Sequence, residues 1–138
     1  MGTGVHMTGA GAPHVDAEAR TVAALVIDDD AETRELLAAV IERAGYSTMT
    51  AANGQNAIAL LGSIRPELVL LDVCMPVMDG ATFRQEQRRN PEWLRIPTVV
   101  ITGAYDEPVL DPAVVAALRK PVLAKDILAL VERYCTRR

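Results

Sequence analysis

The sequence is poor in cysteine, in lysine and in long apolar runs, and each shortage excludes a class of protein. Cys74 and Cys135 are the two cysteines of the 138 residues. Neither falls in a Cys-x-x-Cys or Cys/His ligand spacing, so a zinc site is not indicated and a secreted disulfide scaffold is disfavoured. No apolar run approaches the length of a membrane span. The first twenty residues lack a basic start followed by an apolar stretch, so they do not read as a signal peptide, and a cytoplasmic location with no membrane partner is expected. The formal net charge is −4, and no basic stripe stands out. Grip on nucleic acid needs clustered Lys and Arg, so direct binding to it is not expected.

What is present is half apolar by composition, enough for one sizeable core at this length. Residues 1–20, rich in Gly, Ala and Thr, read as a disordered tail, and residues 21–138 as one domain. The stretch ahead of Met7 can be read as an appended expression leader. From Thr21 onward, short apolar runs alternate with helical patterns. Ala24–Ile27, Glu67–Leu71 and Thr98–Ile101 are continuous runs, as in strands buried on both faces of a parallel sheet. Tyr46–Ala51 and Val114–Leu118 are weaker strand patterns. Leu36, Leu37, Val40, Ile41 and Ala44 recur at helical spacing, with Asp29 or Asp30 placed to cap the start and Gly45 to end it. Asn53-Gly54 opens a second helix, a third covers about Gly80 to Arg89, and a last spans roughly Ala124 to Tyr134. Repeated β-α units give a doubly wound α/β domain with a five-stranded parallel sheet.

Such sheets bind ligands at the carboxyl ends of their strands. The first strand runs into Asp28-Asp29-Asp30, the third into Asp72, the fourth into Thr102 and the fifth into Lys120-Pro121. Clustered carboxylates resist ionisation unless a cation sits among them, and a hard divalent ion such as magnesium suits oxygen ligands. Taken singly, each residue has a plainer reading: helix capping for the acids, a strand-end turn for Asp72, a strand former at Thr102, a solvated side chain at Lys120. Their convergence on one edge favours a site. Lys120 also stands out as one of two lysines beside twelve arginines. A compact ammonium suits a single phosphate oxygen without a bidentate demand. Cys74 reads as a small apolar side chain rather than a redox or soft-metal thiol, and Cys135 as unremarkable.

The segment Leu70-Leu71-Asp72-Val73-Cys74-Met75-Pro76-Val77-Met78-Asp79-Gly80 closely resembles the phosphoacceptor motif of response-regulator receiver domains. Together with Val26-Ile27-Asp28-Asp29-Asp30, Val100-Ile101-Thr102-Gly103 and Lys120-Pro121, the resemblance runs from about Thr21 to Tyr134. It implies a flavodoxin-like strand order 2-1-3-4-5 and a role in two-component or phosphorelay signalling. Asp72 would be the phosphoacceptor. Asp28, Asp29, Asp72 and the backbone carbonyl of Cys74 would hold Mg2+, while Thr102 and Lys120 would assist the transfer. The partners would be a histidine kinase or phosphotransfer protein and a downstream protein. The chain would be a switch rather than an enzyme; with no output domain attached, it would be a single-domain regulator, a phosphorelay intermediate or a receiver excised from a larger protein, and would act by binding a partner.

Two features depart from the family pattern. Members usually carry an aromatic residue three positions before the lysine, where this chain has Ala117. Eleven residues, among them Pro108 and Pro112, separate Thr102 from Val114, so the fourth helix is expected to be shortened or absent. Two rival readings remain. In a haloacid-dehalogenase-type phosphatase, Asp28 and Asp30 would fit the Asp-x-Asp-x-Thr/Val pattern, but Glu32 holds the fifth position and the threonine falls at Thr33. A phosphorylation-independent scaffold of the same fold would explain Ala117 but not the complete acidic set.

Overall fold

The computed structural model describes residues 19–73, 80–103 and 113–137. The elements in chain order are β1 (Arg20–Ile27), α1 (Ala31–Arg43), β2 (Thr48–Ala51), α2 (Gly54–Leu61) and β3 (Ile64–Asp72). They continue with α3 (Gly80–Arg89), α4 (Pro91–Leu94), β4 (Thr98–Thr102), β5 (Val114–Arg119) and α5 (Ala124–Tyr134). The five strands form one parallel sheet in the order β2-β1-β3-β4-β5, as expected for this sequence.

Successive strand residues point to opposite faces, and the sheet sorts its side chains into two sets, the alternation in β1 being interrupted between Val22 and Ala24, where the pairing with β3 skips Ala23. Val22, Leu25, Ile27, Val69 and Leu71 pack with Ala57 and Leu61 of α2, Phe83 of α3 and Trp93 of α4. On the other face Ala24, Val26, Leu68, Leu70, Val99 and Ile101 pack with Leu37 and Ile41 of α1 and Ile127 and Val131 of α5. The continuous apolar runs thus have a direct cause: both faces of β1, β3 and β4 are covered. Truncating a fully buried aromatic such as Phe83 in a core of this kind costs about 3–5 kcal/mol.

Local signals set the helix ends. Asp30 caps α1, accepting the Thr33 N–H, and Asn53 caps α2 through the Asn56 N–H at 2.8 Å. Gly45 follows α1 with φ +98°, a backbone angle that glycine adopts without the steric penalty of a Cβ.

Element boundaries differ in places from the sequence reading. β1 begins four residues earlier than expected, at Arg20. β3 extends back through Pro66, a residue that weighs against a central strand. Pairing with β4 begins only at Val69, so β3 is still an edge on that side at Pro66 and a missing N–H is tolerated. The short α4 was not expected. Asn90 caps it by accepting the Glu92 N–H at 3.0 Å, with Pro91 at its first position. The tail, residues 74–79 and the β4–β5 connection, with the expected shortening of a helix there, lie outside the described residues apart from the first and last few positions.

α3 also buries polar groups. Arg84 and Gln87 are buried. Gln87 accepts from the Arg84 guanidinium, and its amide donates to the Trp93 carbonyl at 3.0 Å and to Thr98 Oγ1 at 3.3 Å. This network ties α3 to the start of β4.

Candidate phosphoacceptor site

Parallel strands in register bring their carboxyl ends to one edge. Ile27 of β1 lies opposite Leu71 of β3, Asp72 opposite Ile101 of β4, and Thr102 opposite Arg119 of β5. The next residues out are Asp28 and Lys120. Sequence spacing therefore becomes spatial convergence through sheet register alone.

Oxygens from Asp28, Asp29 and Asp72 all lie within 4.8 Å of one another. Asp28 and Asp72 are 1 % exposed, whereas Asp29 is open to solvent. The Lys120 ammonium donates to Asp72 Oδ2 at 3.4 Å, and the Lys120 N–H donates to the Thr102 carbonyl at 2.9 Å. Thr102 is fully buried, and its Oγ1 has no hydrogen-bond partner among the described residues. The Lys120–Pro121 peptide bond is cis.

Asp28 sits at the centre of the electrostatics. Burial pushes its carboxyl above the ordinary carboxylate value, and the charges of Asp72 and Asp29 add to this. The Asp30 N–H and Lys120 oppose it. Its Oδ1 accepts the Asp30 N–H at 2.9 Å, while Oδ2 is buried with no partner among the described residues. A buried carboxylate oxygen left in this way is costly unless a cation meets it. Burial works against the Lys120 ammonium, yet Asp72, Asp28 and Asp29 together raise its pKa. Asp30 has a separate task. The Thr33 hydroxyl and N–H hold its carboxyl below the usual range, so it caps the helix and does not join the cluster.

Hard oxygen donors, an orphaned buried carboxylate oxygen and too few protein groups for a closed cage fit a magnesium ion that retains waters. The fourth expected ligand, the Cys74 carbonyl, lies outside the described residues, as do Met75, Pro76, Met78 and Asp79. Ala117 is exposed on β5. The Cys135 thiol donates to the Ala23 carbonyl at 3.3 Å. Burial, with a contribution from Glu67, pushes its pKa up to about 12, which agrees with an inert reading.

The site has a participant that was not singled out from the sequence. Arg34 Nη1 donates to the Asp28 carbonyl at 2.8 Å. The available signal was a cation in the opening turns of a helix, where the dipole disfavours it.

A profile of the response regulator receiver domain matches residues 24–132. The chain belongs to that family. An uncharacterised 14.6 kDa protein of Leptolyngbya boryana is 34 % identical over 115 residues, covering 80 % of this chain and 88 % of its own length. The phosphate regulon regulator PhoB of Pseudomonas aeruginosa is 34 % identical over 83 residues, 60 % of this chain. RpaA of Synechocystis, a DNA-binding transcriptional regulator, is 32 % identical over 117 residues, 82 % of this chain. The chain spans 36 % and 48 % of the lengths of these two regulators. Among solved structures, the receiver domain of a histidine kinase from Syntrophus aciditrophicus aligns with TM-score 0.69 and 26 % identity, over 82 % of this chain and 89 % of that one. The receiver domain of NtrX from Brucella abortus gives 0.70 and 26 %, over 80 % and 96 %. No helix among the described residues is long and apolar enough to cross a membrane.

Proposed function

We propose that this receiver domain is a magnesium-dependent switch whose phosphoacceptor is Asp72. The observation that carries the reading is the contact of Lys120 with Asp72 inside a three-carboxylate cluster. In the transfer, an Asp72 carboxylate oxygen bonds to phosphorus as the P–N bond of a phosphohistidine breaks. The imidazole leaves with the electron pair and takes up a proton. The product is an acyl phosphate on Asp72. Phosphoryl transfer depends mainly on positioning and on neutralising oxygen charge. Lys120 supplies one fixed positive charge. The Thr102 hydroxyl, without a partner among the described residues, donates to a phosphoryl oxygen once that group is in place. Bound magnesium, held by Asp28, Asp29, Asp72 and the Cys74 carbonyl, would supply further positive charge to the phosphoryl oxygens.

The donor would be a histidine kinase or phosphotransfer protein, acting in the cytoplasm. Leu36 in the second turn of α1 and Leu123 at the start of α5 are large apolar side chains left 64 % and 53 % exposed, on helices that pack together. They offer a partner helix an apolar hold beside the site. On this reading the domain is a switch rather than an enzyme with a separate substrate. The phosphorylated form would differ in its affinity for a downstream protein.

Intact-mass measurement after incubation with acetyl phosphate tests the reading. One phosphoryl increment is expected with magnesium and none with a chelator. A mass unchanged under both conditions would favour the phosphorylation-independent scaffold, the reading that the exposed Ala117 supports.

A further inference from the structure

Asp28 has four polar atoms, and three are tied to three different elements. Its N–H donates to the Ala51 carbonyl of β2 at 3.1 Å. Its Oδ1 accepts the Asp30 N–H of the acidic turn at 2.9 Å. Its carbonyl accepts from Arg34 Nη1 of α1 at 2.8 Å. Oδ2 alone remains, buried without a partner among the described residues. The bond from Arg34 spans six residues of sequence, from the opening of α1 back to the end of β1. Helix formation gives no reason for a cation there, since the dipole disfavours it. The side chain is half-buried, and its guanidinium makes this contact through Nη1.

We propose that Arg34 is a positioning residue for the acidic site: it clamps the Asp28 carbonyl and so keeps the Asp28 carboxylate fixed toward a shared divalent cation. The proposal rests on the metal-binding reading of the cluster given above. It deepens that reading by placing an outer hydrogen bond behind a ligand, where such bonds orient and tune metal sites. The planar fork of arginine suits the role, because less side-chain freedom is lost per hydrogen bond formed than with lysine.

The direction of the effect separates this role from plain electrostatics. As a nearby positive charge, Arg34 opposes cation binding, so removing it would tighten binding. As a clamp, its removal frees Asp28 and weakens binding. If Arg34 only packs against its neighbours, a variant that keeps the aliphatic stem would change neither.

The test compares the full chain with Arg34→Met, which keeps the stem and removes the donors, and Arg34→Lys, which restores one donor and the charge. Two readouts are followed by NMR: amide shifts during Mg2+ titration, and hydrogen exchange of the Asp30 amide, which reports its bond to Asp28 Oδ1. Unchanged exchange at Val26 and Ile27 shows that the sheet is intact. For Arg34→Met, magnesium affinity is expected to fall about tenfold, the low end for outer hydrogen bonds in metal sites. Asp30 exchange is expected to accelerate several-fold, and Arg34→Lys should recover part of both losses. Tighter or unchanged magnesium binding in Arg34→Met overturns the proposal, and so does unchanged Asp30 exchange. Failure of the parent chain itself to bind magnesium would refute the reading of the cluster. The Asp30 exchange would then still decide whether Arg34 holds the turn.

Discussion

Substituting Asp28 by Asn should make the magnesium-free protein more stable, although it alters a fully buried polar residue. Asn keeps an oxygen to accept the Asp30 N–H but removes a charge from the cluster. The carboxylate oxygens lie within 4.8 Å of one another, and two full charges at that limit repel by about 3.5 kcal/mol at an effective dielectric of about 20. Asp28 faces two such neighbours. Solvent screens the exposed Asp29, and the attraction of Lys120 for Asp28 is lost with the charge, so the net gain is about 1–2 kcal/mol. For a domain of this size that is a rise of about 3–8 °C in melting temperature. Magnesium should reverse the order. At ten times its Kd it stabilises the parent chain by about 1.4 kcal/mol through linkage, and it should do little for Asp28→Asn. Thermal melts with chelator and with excess magnesium provide the comparison. A destabilised Asp28→Asn in chelator, or a full magnesium shift retained in it, would refute the electrostatic account. The same reasoning fixes a pH dependence. The folded-state pKa of Asp28 is raised, so its ionisation costs stability. That cost is absent below the ordinary carboxylate value of 3.8 and grows as pH rises through the folded pKa, after which it stays constant. The part of the slope owed to Asp28 should vanish in Asp28→Asn.

Other consequences follow from the same geometry. Lys120→Ala should slow phosphorylation by acetyl phosphate about 10- to 100-fold, the loss expected when one preorganised charge is removed. Lys120→Arg should restore little of it, as rates measured by intact mass would show. Leu36→Glu and Leu123→Glu should slow phosphotransfer from a phosphohistidine protein while leaving the acetyl phosphate rate unchanged; equal loss with both donors would place these residues outside the docking face. Cys135, with its thiol pKa near 12, should resist thiol reagents at pH 8 in the folded protein and react on denaturation.

The architecture was legible because its causes are periodic. Strands covered on both faces must be continuously apolar, and β1, β3 and β4 are. The site was legible because a parallel sheet brings strand ends together without further information, so Asp28, Asp72, Thr102 and Lys120 could be placed on one edge from spacing. Features set by tertiary context were not. Pro66 can sit in β3 only because β4 starts pairing later, a fact of neighbouring strand length. The buried Arg84 and Gln87 occupy positions that a hydrophobic pattern assigns to solvent, and the hydrogen bonds of Gln87 reach residues six and eleven positions away on other elements. Arg34 was passed over because its partner is a backbone carbonyl, which carries no residue-type signature.

Borohydride reduction of the phosphorylated protein tests the central claim most directly, because it converts an aspartyl phosphate to homoserine at the residue that carried it. After incubation with acetyl phosphate and magnesium, peptide mapping should find homoserine at position 72 and nowhere else, and Asp72→Asn should yield none. Homoserine at position 28 or 29, or undiminished labelling of Asp72→Asn, would contradict the assignment of Asp72 as the phosphoacceptor.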